Sequence, residues 1–120
     1  MGKLSSTSLE QATTVLAGSL VATGASSSVP VFGPANLFLY GVFVGTARLE
    51  RSFDGGTTWI PCTIDAAGDY ASYSVVASLV FNEPEHGMLY RINCTAYTSG
   101  TISYRISNST DLYATGRGFQ

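Results

Sequence analysis

The chain has 120 residues, of which 45% are hydrophobic, 12% aromatic and only 12% charged, with a net charge of -2. Average globular domains are roughly 25% charged, and disordered chains combine low hydrophobicity with high net charge, so the composition excludes disorder and points to one folded domain with its own core. A single lysine, Lys3, and five scattered arginines exclude a general nucleic-acid binder, which needs clustered cations to displace counterions from phosphate.

Residues 1–31 contain no aromatic, and all 14 aromatics lie from Phe32 onward. This shift divides the chain into an extended N-terminal arm (1–31), a β-domain (32–108) and a polar, Gly-rich tail (109–120). Ser and Thr in the arm compete for backbone hydrogen bonds within helices, which favours an extended form. Leu4, Leu9, Val15 and Leu16 are its candidate contact residues. Residues 24–28, Gly-Ala-Ser-Ser-Ser, read as a flexible joint. The apolar stretch from Thr13 to Ala25 follows Glu10 and is interrupted by Ser, Thr and Gly, which weakens a signal-peptide reading. Met1-Gly2 with Ser6 fits a myristoylation pattern, but the pattern is short and matches often by chance. No run of 18 apolar residues exists, so no transmembrane helix is expected.

The β-domain reads as strands. Val29 to Phe32 predicts a short one, ended by Gly33-Pro34. Asn36 to Val44 predicts a long buried strand. Thr46 to Phe53 alternates, and Thr57 to Ile64 follows after a turn at Asp54-Gly55-Gly56. Tyr70 to Phe81 places Tyr73, Val75, Ala77, Leu79 and Phe81 on one face. Asn82 to Gly87 reads as a turn. Met88 to Tyr97 places Tyr90, Ile92, Cys94 and Ala96 together, and Thr98-Ser99-Gly100 predicts a tight hairpin. Thr101 to Ser107 places Ile102, Tyr104 and Ile106 together. Seven or eight strands with no long helical period predict an all-β fold, an antiparallel β-sandwich of jelly-roll or immunoglobulin-like topology. Lysine is absent from the strands, although exposed edges are commonly guarded by it, so some edges are expected to be covered by another chain.

Ser52-Phe-Asp54-Gly-Gly56-Thr-Thr58-Trp59 matches the Asp-box, S-x-D-x-G-x-T-W, at every fixed position. The carboxylate can accept turn amides, glycine permits positive φ, and the indole can pack beneath the hairpin. Asp-boxes recur in sialidases and other β-propellers, on hairpins away from the catalytic centre. A propeller repeats its blades, and this chain has one box and no repeat, so Ser52, Asp54, Gly56, Thr58 and Trp59 read as a structural turn.

The inventory for catalysis is thin. His86 is the only histidine, in a polar stretch, Glu83-Pro84-Glu85-His86-Gly87. A histidine beside a glutamate can be a base or a metal ligand, but one His and two Cys do not make a zinc site. Glu83 and Glu85 could be imagined as a glycosidase pair, but as neighbours around a proline they are expected to face solvent. No enzymatic activity, cofactor or metal is expected. Cys62 and Cys94 could form one disulfide, yet the weak secretion signal favours two small buried thiols. Trp59, Tyr70, Tyr73, Tyr97 and Tyr113 are candidate stacking residues for a sugar, against a plainer role in packing. Asn93-Cys-Thr95 and Asn108-Ser-Thr110 match glycosylation acceptors, which carry weight only in a secreted chain.

The stretch from Gly41 to Ser107 joins G-V-F-V-G-T-A-R-L-E-R-S-F-D-G-G-T-T-W, N-E-P-E-H-G-M-L-Y-R-I-N-C and Y-T-S-G-T-I-S-Y-R-I-S. It resembles small virion accessory proteins of tailed bacteriophages and prophages, above all β-sandwich or jelly-roll capsid decoration (cement) proteins. The resemblance covers about 67 of the 120 residues and implies an icosahedral-shell partner. It leads to the expectation of a structural virion protein, made in the host cytoplasm, that binds the major capsid protein and itself as a homotrimer. The arm would clamp adjacent coat subunits. A neck or tail accessory and a carbohydrate-binding module are the alternatives; no nucleic-acid or membrane partner is expected.

Overall fold

The computed structural model describes residues 11–64 and 67–111. Among them there is no helix; the chain forms an antiparallel sheet of eight strands, consistent with a β-sandwich. The strands are β1 (Gln11–Leu20), β2 (Gly24–Ala25), β3 (Val29–Tyr40), β4 (Phe43–Ser52), β5 (Ile60–Pro61), β6 (Ser72–Tyr73), β7 (Ala77–Gly100) and β8 (Ile102–Asp111). The order is β1-β8-β3-β7-β4-β5, with β2 on β7 and β6 on β4.

β3 and β7 organise the molecule. The later part of β3 pairs with the start of β7 (Leu37 opposite Leu79), and its first residues pair with the middle of β7 (Val29 opposite Tyr90). The last half of β7 pairs instead with β4, Ser52 opposite Leu89 through Phe43 opposite Gly100. Only two residues, Gly41 and Val42, separate β3 from β4. The two ends of β7 therefore lie toward the same end of the molecule, and the β3–β7 ribbon turns back near its middle. The turn is an irregularity in the ladder: Val31 opposes Met88 but Gly33 opposes Glu83, so Pro84 to Gly87 bulge out against Phe32 alone. Such extra residues bend a strand and raise its twist. Asn108 closes the gap from β8. Its Nδ2 donates to the carbonyls of Phe32 and Pro34 (2.8 Å each), and the Phe32 amide reaches its Oδ1 (3.4 Å).

The core follows the two-residue period. Leu37 and Leu39 of β3, Ala47 and Leu49 of β4, Ile92 and Cys94 of β7, and Ile102 and Ile106 of β8 are fully buried or nearly so. Exposure alternates along β3, so Phe38 and Tyr40 face outward.

Several expectations change. The arm boundary at residue 31 does not divide the sheet: β1 pairs with β8 over ten consecutive residues, and β2 and Val29–Val31 lie along β7. Gly33-Pro34 does not end a strand, because the bulge carries β3 past it. The run Asn36 to Val44 is two strands broken at Gly41, whose φ is +106°, and Val42 is 89% exposed. Asn82 to Gly87 is not a turn between strands but the bulged middle of β7. Thr98 to Gly100 forms no hairpin, because β8 leaves β7 to pair with β3 and β1. The predicted strand from Thr57 to Ile64 shrinks to Ile60–Pro61, and that from Tyr70 to Phe81 is interrupted after Tyr73, where Val75 is exposed.

Candidate functional site

The Asp-box closes the loop between β4 and β5, a short hairpin in which Glu50 opposes Pro61 and Arg51 opposes Ile60. Buried Ser52 is its pivot: the hydroxyl donates to Asp54 Oδ1 (2.8 Å) and accepts the Gly56 amide (2.9 Å). The Thr58 amide donates to the same Asp54 oxygen (2.8 Å), and this bond above all holds the Asp54 carboxyl below its ordinary range. Gly55 and Gly56 both have positive φ, which a side chain would resist. Trp59 Nε1 donates to the Gly56 carbonyl (2.9 Å), and the Arg91 guanidinium lies 4.3 Å from the indole centroid. The indole N–H and one face are thus taken up within the chain. All five residues named from the motif come together as a turn.

Arg91 ties that turn to a buried carboxylate. Glu50 of β4 accepts Arg91 Nε (2.8 Å), Arg48 Nε (2.7 Å) and Asn93 Nδ2 (3.0 Å). Burial alone would raise its pKa; the hydrogen bonds from Asn93, Arg48 and Arg91 outweigh that and hold it below the usual carboxylate range. Sequence reading did not single out this cluster. Its only sequence signal is Arg48 and Glu50 two apart on one strand; the partners on β7 require the register.

A second buried carboxylate corrects the expectation for Glu83, which is fully buried rather than solvent-facing. The β7 bulge turns it inward, where it accepts Arg51 Nη2, the Tyr90 hydroxyl (2.7 Å) and the Glu85 amide (2.9 Å). Desolvation pushes its pKa up, but the Tyr90, Glu85 and Arg51 hydrogen bonds outweigh it, so the net shift is downward. Glu85 stays exposed, so the two glutamates do not form a pair. His86 stacks on Phe32 with ring centroids 3.7 Å apart and planes 13° from parallel. Among the described residues no group of three or more His, Cys, Asp or Glu side chains could hold a metal ion.

Cys62 and Cys94 are free thiols. Burial pushes the Cys62 thiol up to about 12, so it is neutral at physiological pH. Cys62 and Arg51 line a cleft of about 590 Å³ beside the start of β7, walled by Leu79, Phe81, Met88 and the Ile60–Ile64 segment.

The largest feature is a distribution. No charged residue occurs from Gln11 to Ala47, from Tyr70 to Asn82 or from Ile92 to Tyr104. Pairing gathers parts of these segments at one pole, where β3 passes to β4, β7 passes to β8, and β1 ends beside Ile102. Tyr40, Val42 and Val44 are exposed there, and Val75 and Val76 between β6 and β7 are exposed next to it. The ion pairs of Glu50 and Glu83 lie toward the opposite pole. Of the residues named in the arm, Val15 is exposed on β1 and Leu16 packs partly against the core; Leu4 and Leu9 lie outside the described residues. No described helix is long and apolar enough to cross a membrane.

No family model matches the chain, and neither the curated proteins nor the solved structures contain a match.

Proposed function

We propose that this is a non-enzymatic structural protein of a phage virion, a capsid decoration protein that binds the outer shell and joins adjacent coat subunits. The observation that carries the reading is the uncharged pole with its exposed valines and Tyr40. Contiguous apolar surface on a soluble domain marks a contact site, and interface cores are depleted of charge. A partner surface that meets this pole need not desolvate an ion. β1 adds a second uncharged element, at the sheet edge among the described residues and without lysine, proline or a register shift, the devices that ordinarily protect an edge. Association as a closed trimer would cover such edges.

The mechanism needs no chemistry at a reactive group. Both buried carboxylates already accept three donors each, and the Cys62 thiol is held protonated. Each bound copy buries surface against the assembled shell, so binding stabilises that state by mass action. The phage assignment itself rests on the sequence resemblance.

Mass spectrometry and electron microscopy of particles purified from the encoding phage test the reading. The chain is expected in the particles, as repeated density on the shell. Its absence from purified particles, or density confined to the neck or tail, would overturn it.

A further inference from the structure

Among the described residues the start of β7 has one open edge. Residues Ala77 to Glu83 pair with β3 on one side, whereas β4 pairs with β7 only from Leu89 onward. Among the described residues no strand lies on the other side of Ser78 to Asn82. That edge borders the cleft, whose lining includes the consecutive residues Leu79, Val80, Phe81 and Asn82. Consecutive strand residues point to opposite faces, so their joint presence at one wall means the backbone itself is presented.

The opposite wall is the Ile60–Ile64 segment, already satisfied by β4 and by the chain near Tyr70: the Cys62 amide donates to Leu49, and its carbonyl accepts from Ala71. Between the walls the lining is mostly apolar with Thr63, Asn82 and Tyr90 among it, and its charged residue, Arg51, is paired with Glu83 behind the wall. A charged guest would lose hydration without gaining a counter-ion, whereas a neutral guest would lose little.

We infer that this cleft takes an extended, uncharged peptide segment of another protein, which adds as a strand to the open edge of β7 and seats an apolar side chain in the cavity. Strand addition supplies main-chain hydrogen bonds, and the pocket beneath supplies selection for alternate side chains. The cavity volume lies in the range of ligand pockets and is ample for one large apolar side chain. Peptides carrying an apolar anchor are therefore separated from those carrying a charge. The edge adjoins the uncharged pole at Ala77, but the cleft runs away from it toward Arg51 and Met88, and the inference does not depend on the virion reading.

The probe is a capped heptapeptide, Ac-Ser-Thr-Val-Leu-Val-Thr-Ser-NH2, titrated into the full chain and followed by amide NMR shifts. Versions with the central Leu replaced by Phe or by Asp are titrated in parallel. Binding of the Leu or Phe peptide is expected below about 1 mM, with shifts centred on Ser78–Asn82 and Ile60–Ile64, and at least about tenfold weaker binding of the Asp peptide. Cys62→Phe, which fills the cleft, is expected to weaken binding at least about tenfold, and Val44→Lys at the far pole to leave it unchanged. No binding by either apolar peptide at that concentration, equal binding of the Asp peptide, or shifts centred elsewhere would overturn the inference. The wild-type shift map keeps the test decisive should Cys62→Phe fail to fold.

Discussion

At the residue scale, the fold buries a few polar groups that most strands would leave in water. Glu83 is wholly buried, and its carboxylate carries three hydrogen bonds. Its loss leaves the buried Tyr90 hydroxyl without its acceptor, while the partly exposed Arg51 can be hydrated, so Glu83→Ala is expected to cost about 1–3 kcal/mol in urea unfolding, with the slope unchanged. Ser52→Ala removes both the acceptor for Gly56 and the donor to Asp54, for an expected loss of about 1–3 kcal/mol. pH dependence follows from Glu50 and Glu83. Their folded pKa values lie below the ordinary 4.5, so the unfolded chain binds protons first as pH falls. Their contribution is complete above the unfolded pKa and is lost as pH drops through the folded values. Unfolding free energy should therefore fall below about pH 4.5, and the double substitution Glu50→Gln with Glu83→Gln should flatten that acid limb.

At the element scale, the two-residue period made most of the core legible: Leu49, Ile92, Cys94, Ile102 and Ile106 lie inward as their alternation implies. The Asp-box hairpin was legible too, because its chemistry is local to eight residues. What alternation could not convey was connectivity. Pro84 to Gly87 has the composition of a turn, yet a bulge uses the same residues to bend one continuous strand. Thr98 to Gly100 likewise has hairpin composition, but Gly100 serves a corner. Its φ is +87°, and a Cβ there would collide with the Val42 carbonyl oxygen. Gly100→Ala is expected to cost at least about 2 kcal/mol, read as a lowered unfolding midpoint. The candidate polar clusters were illegible for a similar reason: Glu50 meets Arg91 and Asn93 only through the β4–β7 register, 41 and 43 residues away.

β1 belongs to the same scale. It covers β8 across ten residue pairs, with Leu16 opposite Ile106 and Leu20 opposite Ile102. A free arm could be removed without loss, but this strand cannot. Deletion of residues 2–24 is expected to lower stability and expose the edge of β8, seen as faster amide exchange across Ile102–Ser109 than in the full chain.

At the scale of the whole molecule, the chain is polarised. The three ion pairs gather around the bulge, the Asp-box and the two buried glutamates, while among the described residues the pole at Tyr40–Val44 carries no charge. Low charge over the sequence thus resolves, among the described residues, into one uncharged end, and the proposed function rests on that end being buried against protein. The direct measurement is co-sedimentation of the purified chain with shells of the encoding phage that lack it, comparing wild type with the double variant Val42→Lys and Val44→Lys. Both side chains are exposed, so the variant should fold as wild type does. The account predicts that the wild type sediments with shells and the folded variant stays in the supernatant. Equal binding of the two chains, or no binding by the wild type, would contradict it.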